Sequence, residues 1–207
     1  MYASSGTTFS YCDPSLPVIG HQGEPKSEFR IPSLDELARV DETNYSCPSG
    51  TIPIYSKPQV AASPLASQYK IPLVIHQTCK SHCVTQEVFN VMKQWQDLGI
   101  PYYLHDDKSM EALIHSDAVR KAFPQLPLVW THCLRVAAAK TDVWRMLLLW
   151  TYGGIYADVD CRPVCFRPLT HIHPSDDMYT LTDNAGLPSF HFMASVPKHP
   201  IMYMVIA

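Results

Sequence analysis

No apolar stretch in this sequence approaches the ~20 residues that a membrane-crossing helix needs. Around its most hydrophobic region the longest uninterrupted apolar run is Met146–Trp150. The opening segment, MYASSGTTFSYCDPSLPVIG, lacks both a basic start and an apolar centre, so it does not read as a signal peptide. The expectation is that either the protein is soluble and cytosolic or its targeting segment lies outside this chain. Positive charge is also scarce. Lys and Arg number 16 against 19 Asp and Glu, giving a net charge of −3, and no basic run occurs. Nucleic acid is therefore not an expected partner. The 7 cysteines, Cys12, Cys47, Cys79, Cys83, Cys133, Cys161 and Cys165, are odd in number and irregularly spaced, so no disulfide framework is expected. Cys79/Cys83 and Cys161/Cys165 have the separation of zinc half-sites, but matching His partners are not evident and buried free thiols are the default. No internal repeat is present.

What is there is a substantial apolar fraction, 46% of 207 residues, enough for one domain with a real core. Residues 1–69 read as a Pro/Ser-rich N-terminal extension, a stem or mobile segment with a short helix at Ser33–Val40 that Ser33 and Glu36 cap. Asn44-Tyr45-Ser46 is a glycosylation sequon, which matters only in the secretory pathway. Residues 70–207 read as the globular domain. Ile71–His76 is a buried strand, and Thr85–Leu98 is a helix stopped by Gly99. IPYYLHDD is a second strand, in which only one of Tyr102 and Tyr103 should face the core. Lys108–Ala122 is a further helix. Cys133–Tyr152, free of Gly and Pro, is the strongest helix, and Gly153-Gly154 ends it. Ile155–Val159 is a short strand, His171–Asp177 a polar loop and Met178–Thr182 another strand. The order predicts an α/β layered domain. The final segment, PIMYMVIA, stops in mid-pattern, so the chain is expected to be a C-terminally incomplete fragment.

The chemistry concentrates in TYGGIYADVDCRPV. Alternation along a strand would put Asp158 and Asp160 on one side. Two such carboxylates repel unless a cation or donors intervene. Mg²⁺ or Mn²⁺ suits them, because such ions take oxygen ligands and are often held by one or two carboxylates plus substrate phosphates. A bare D-x-D is common by chance and is more often a solvated turn. Its neighbours shift the weighing: Asp142 and Arg145 share one face of a helix that is otherwise apolar nearly all round, and Gly153-Gly154 lets backbone and ligand approach closely.

The stretch AAAKTDVWRMLLLWTYGGIYADVD resembles the signature of the DXD sugar-nucleotide glycosyltransferases of family 32. That family includes α-1,6-mannosyltransferases and inositol-phosphoceramide mannosyltransferases. IPLVIHQT resembles its first strand and NAGLPSFHFMASVPKHP its later segment, so the likeness covers about residues 70–207. It implies a GT-A-type, Rossmann-like nucleotide-sugar-binding fold with Mn²⁺ (or Mg²⁺). It also implies a donor such as GDP-mannose or a UDP-sugar, a glycan or glycolipid acceptor, retention of configuration and residence on a Golgi membrane through a segment outside this chain. Asp160, supported by Asp158, would hold the metal. Asp142 and Arg145 would hold donor-sugar hydroxyls, and these four form the implied catalytic set. Tyr156, Ile75, His76, Gln77, Thr78 and Asn184 would border the donor. Cys79 departs from the family, which often has Trp there.

Two other readings compete with this one. An inactive sugar-nucleotide-binding homologue fits the Cys79 departure. A haloacid-dehalogenase-type phosphatase would use Asp158 as nucleophile, but that motif continues differently from Cys161-Arg162-Pro163. His171 and His173 read as solvated loop residues, His191 and His199 are unassigned, and Trp95, Trp130, Trp144 and Trp150 read as core rather than sugar platforms.

Overall fold

A computed structural model of the chain describes residues 30–40, 46–58, 66–182 and 186–207. Its centre is a five-stranded sheet built from β2 (Ile75–Thr78), β4 (Tyr102–His105), β5 (Gly154–Ala157), β6 (Met178–Thr182) and β7 (Pro188–Ser195) in the order β4-β2-β5-β7-β6. β4, β2 and β5 are parallel; β7 runs antiparallel to β5, and β6 antiparallel to β7. A separate two-stranded piece pairs β1 (Ile52–Pro53) with β3 (Cys83–Val84). This mixed α/β architecture agrees with the layered domain expected from the sequence.

Helices cover both faces of the sheet. On one side lie α3 (Asp107–Ile114), α4 (Asp117–Ala122), α5 (Leu126–His132), α6 (Ala137–Tyr152) and α8 (Pro200–Ile206), whose apolar residues pack with Tyr156 and Met193 of the sheet. On the other, α2 (Gln86–Gln96), and Phe166 and Ile172 on either side of the short α7 (Pro168–His171), pack on Ile75, Tyr102, Ile155, Ala157 and Phe192. Because both faces are covered, Tyr102 and Tyr103 are both buried. The expectation that only one would face a core is corrected: Tyr103 has its own small cluster with Ala38 and Val74.

Local chemistry sets the element ends. Thr85 caps α2 with its side chain. The expected helix over 108–122 is two, because Ser116 accepts from Val119 N–H and starts α4 afresh. α5 went unread: Pro127 looks like a breaker but sits in the first turn, where its missing N–H costs nothing. α6 begins at Ala137 rather than Cys133. Gly153 and Gly154 carry φ values of 66° and 101°; a Cβ on Gly153 would lie 2.7 Å from Pro197 Cδ, and one on Gly154 2.7 Å from Val74 Cγ1. Any side chain here would push β5 off β2 or the residues after β7 off α6.

The described part of the N-terminal segment is docked rather than free. Ser33 and Glu36 form the expected capping box of α1 (Leu34–Leu37), and Tyr152 Oη donates to the Pro32 carbonyl. Ile54 is buried, and Cys47 is joined to Cys83 by a disulfide across 36 residues. Cys133 is likewise disulfide-bonded, while Cys79, Cys161 and Cys165 are free. The expectation of free thiols throughout is thereby corrected. Spacing could not reveal a pair that forms only when residues 46–58 fold onto the sheet edge. The sequon Asn44 lies outside the described residues.

Under the parallel strands sits a buried imidazole pair: His76 Nδ1 and His105 Nε2 lie 3.2 Å apart, so one ring donates to the other. Burial, weakly opposed by the Gly153 backbone, holds His76 at about 3. Burial and then the neighbouring His76 and His82 rings hold His105 well below its usual value. Both folded-state values are depressed, so the unfolded chain takes up these protons first as pH falls below about 6.5. The stability contribution is therefore full above that pH and is progressively lost toward about 3. Imidazole ¹⁵N spectra should show both rings neutral at pH 5; a ring titrating in the usual range would contradict this burial.

Candidate functional site

The carboxyl ends of β2, β4 and β5 converge on one edge of the sheet, where ligands of open α/β sheets bind. β5 stops at Ala157, so Asp158 follows the strand and Val159-Asp160 enter a turn closed by Cys161 N–H donating to the Asp158 carbonyl at 3.0 Å. The strand reading to Val159, with both acids on one side by alternation, is corrected at this point: the chain has left the sheet before the second acid.

The two acids consequently have different surroundings. Asp158 is held at every polar group. Its N–H donates to the His191 carbonyl at 2.9 Å, and its carbonyl accepts from Gln77 Nε2 at 3.1 Å. Its Oδ1 accepts from Tyr156 Oη at 2.9 Å, and its Oδ2 lies 3.5 Å from Arg145 Nη1. Asp160 is exposed and makes no hydrogen bond or ion pair among the described residues. Burial pushes the Asp158 carboxyl above its ordinary range, against the pull of Arg145 and Tyr156, and the nearby Asp160 charge adds to the rise.

Arg145 organises the group. Its side chain is only 8% exposed. Nη2 pairs with Asp142 Oδ1 at 2.9 Å, Nη1 donates to the Phe190 carbonyl and reaches Asp158, and the guanidinium lies 5.0 Å from the Tyr156 ring centre. The i, i+3 spacing of Asp142 and Arg145 on α6 does put them on one face, as the sequence implied, and that face meets the ends of β5 and β7. Asp142 itself is 65% exposed at the rim.

The remaining candidates divide by depth. Ile75 and His76 are enclosed in the interior. Gln77 is buried too, but its amide accepts from Tyr102 Oη at 2.9 Å and donates to Asp158, which ties β4 and β2 to the motif. Thr78 closes β2, 9% exposed, and accepts from Trp144 Nε1 at 3.1 Å. The Tyr156 ring is fully buried behind Asp158. Asn184 lies outside the described residues. Trp95 donates to the Cys161 carbonyl at 2.6 Å and so pins the loop after the motif from below. His171 and His173 bond only local groups. Sequence reading missed Phe190 and His191, which act here through backbone carbonyls; no side-chain pattern signals such a role.

The donor set suits a hard cation. It consists of carboxylate oxygens without His or Cys, and no group of three or more His, Cys, Asp and Glu forms a closed metal cage among the described residues. An exposed, unpaired Asp160 beside an anchored Asp158 fits an ion that brings further oxygen ligands from a diphosphate.

Comparison with known proteins follows the same line. The sequence profile described as "Glycosyltransferase sugar-binding region containing DXD motif" matches residues 73–184, more than half of the chain. Inositol phosphoceramide mannosyltransferase 3 of Schizosaccharomyces pombe is 28% identical over 187 residues, covering 89% of this chain and 46% of that protein. Inositol phosphoceramide mannosyltransferase 1 of the same organism is 27% identical over 148 residues, covering 66% and 42%. The chain thus spans less than half the length of these curated relatives. No solved structure matches it significantly.

Removing Arg145 leaves Asp158 half-buried beside no cation. Arg145→Met should lower the unfolding free energy by about 2 kcal/mol, below the 3–5 for a fully buried pair because both partner carboxylates reach solvent. Adding Asp158→Asn should restore most of it. Urea denaturation of the four members of this cycle checks the coupling, and additive losses would contradict it.

Proposed function

The chain belongs to the glycosyltransferase family whose sugar-binding region contains the DXD motif, and from that premise we propose that it transfers a hexose, mannose, from a nucleotide-sugar donor to a glycan or glycolipid acceptor. The observation that carries the reading is the asymmetry of the acids: Asp158 is anchored on all sides while Asp160 is presented to solvent at the carboxyl edge of a parallel sheet.

Transfer breaks the bond between the anomeric carbon and the diphosphate, leaving negative charge on the phosphates and positive charge on the sugar. Asp160, with support from Asp158, would hold a divalent cation, Mn²⁺ or Mg²⁺, and that ion would supply positive charge to the leaving diphosphate. Asp142, exposed at the rim and oriented by Arg145, accepts hydrogen bonds from donor-sugar hydroxyls. On this reading the Asp158 carboxylate would favour positive charge developing on the ring. Both of its oxygens are already engaged, by Tyr156 and by Arg145, so it is a poor nucleophile. Attack by the acceptor hydroxyl from the face that the diphosphate leaves, its proton passing to the departing diphosphate, would give retention without a protein nucleophile. GDP-mannose is the first donor to test, because the names of the relatives specify mannosyl transfer, and UDP-sugars the second.

Work in the Golgi lumen accords with the Cys47–Cys83 disulfide and the bonded Cys133, since such bonds persist in oxidising compartments. Among the described residues no helix is long and apolar enough to cross a membrane. The unit is read as residues 70–207 with residues 1–69 as its extension.

Thermal unfolding with GDP or GDP-mannose should show stabilisation only when Mn²⁺ is also present. At about a hundredfold excess over Kd the gain is ~2.7 kcal/mol. Asp160→Ala should abolish it while leaving the unliganded unfolding temperature unchanged. Stabilisation by nucleotide that is indifferent to both metal and Asp160 would refute the assignment.

A further inference from the structure

The carboxyl edge of the sheet is rich in acceptors and short of free donors. Asp142, Asp158 and Asp160 are carboxylates, which only accept when ionised. The Arg145 guanidinium is committed to the protein: Nε lies 3.5 Å from the Thr141 carbonyl, Nη2 pairs with Asp142, and Nη1 serves the Phe190 carbonyl and Asp158. A hexose hydroxyl both donates and accepts. A sugar faced by carboxylates alone would keep its own oxygen lone pairs unpaired, at a cost in affinity.

β7 brings a donor to that place. Ala157 pairs with Phe192 across β5 and β7. One residue on, Asp158 N–H donates to the His191 carbonyl at 2.9 Å, which sets Asp158 and His191 opposite each other. Opposite residues on antiparallel strands project from the same face, with Cβ atoms about 5 Å apart. Alternation gives that face independently. Met193, two residues after His191, packs in the α6 cluster with Tyr156, two residues before Asp158. His191 is exposed, while Ser189 and Met193 on either side of it are buried. The Ser189 hydroxyl lies 2.6 Å from His191 Nδ1 and 3.1 Å from Nε2, so it holds one edge of the ring.

We propose that His191 is a sugar-contacting residue, its imidazole N–H donating to a hydroxyl of the donor hexose on the face where Asp142 accepts from another. The proposal rests on the transferase reading and deepens it by naming a residue that selects the sugar. Ser189 gives its hydroxyl proton to Nδ1, the nearer nitrogen, which leaves the ring N–H on Nε2. A carboxylate that accepts and an N–H that donates, both at the end of the same sheet face, match two hydroxyls of fixed relative position. A hexose with one hydroxyl inverted leaves one of the two groups unpaired and is rejected for that reason. The two roles of His191 separate cleanly. Its carbonyl, which anchors Asp158, belongs to the backbone and survives any change of side chain.

The test is calorimetric titration of the full chain, saturated with Mn²⁺, with GDP and with GDP-mannose; UDP and UDP-glucose form a second pair. His191→Ala should weaken the sugar nucleotide by between about three- and tenfold, the size of one net hydrogen bond. It should leave the sugar-free nucleotide and the unfolding temperature as in the parent. His191→Gln, which keeps an N–H donor, should recover most of the loss. Parental affinity of His191→Ala for the sugar nucleotide would overturn the proposal and leave the transferase reading intact. An equal loss for the nucleotide without sugar would also overturn it, because the ring would then serve the metal or the phosphates. A parent that binds neither nucleotide nor sugar nucleotide refutes the transferase reading itself. A second readout needs no ligand: imidazole ¹⁵N spectra in alkaline buffer should show the His191 N–H on Nε2 in the parent and a mixture of tautomers in Ser189→Ala. An N–H held on Nδ1 in the parent would overturn the proposal independently.

Discussion

A guanidinium buried at the edge of a sheet is the constraint around which this protein is arranged. Arg145 is 6% exposed and carries a full charge, so every donor it has must find an acceptor or the fold bears the desolvation cost. The acceptors are Asp142 and the Thr141 carbonyl, one turn back on α6, the Phe190 carbonyl on β7, and Asp158 at the end of β5. Satisfying Arg145 thereby fixes how α6, β5 and β7 meet. The planar fork of arginine can reach these acceptors at once and still lie over the Tyr156 ring, which an ammonium could not do.

The paired glycines belong to the same constraint. Between Tyr152 and Ile155 the chain must leave α6 and enter the middle of the sheet with no room for a side chain against Val74 or Pro197. That tight passage carries Asp158 back beside Arg145, the two residues being 13 apart in sequence. Gln77 and the His191 carbonyl then hold the Asp158 backbone from the two neighbouring strands. An acid so completely held does not wander, and the turn it starts delivers Asp160 outward. One D-x-D sequence therefore meets two environments, with one acid held on every side and the other presented to solvent.

Much of this was legible from the residues. α6 showed itself through the absence of Gly and Pro, the N-terminal capping box through Ser33 and Glu36, and the Asp142–Arg145 face through its spacing on an otherwise apolar helix. What stayed hidden has physical reasons. Period-two alternation presupposes a strand, and the strand ends one residue before Asp158, so the relation of the two acids could not be read from spacing. Phe190 and His191 act through carbonyls, which every residue carries. The Cys47–Cys83 bond joins cysteines 36 residues apart and depends on the pairing of β1 with β3, which spacing alone does not reveal. His76 and Ile75 lie in a first strand that resembles a ligand-bordering one, yet strand ends differ in depth. Here only Thr78 and Cys79 reach the edge.

On the proposed reading, the sheet edge, the held acid and the exposed acid form half of a site that a metal and a nucleoside diphosphate would complete. The most direct measurement is a crystal structure of the protein grown with Mn²⁺ and GDP. The account predicts a metal bound through Asp160 and the diphosphate, with Asp158 still accepting from Arg145 and Tyr156 and the hexose position facing Asp142. Metal and nucleotide bound away from Asp160, or an Arg145 that abandons Asp158 to take the phosphates alone, would contradict it.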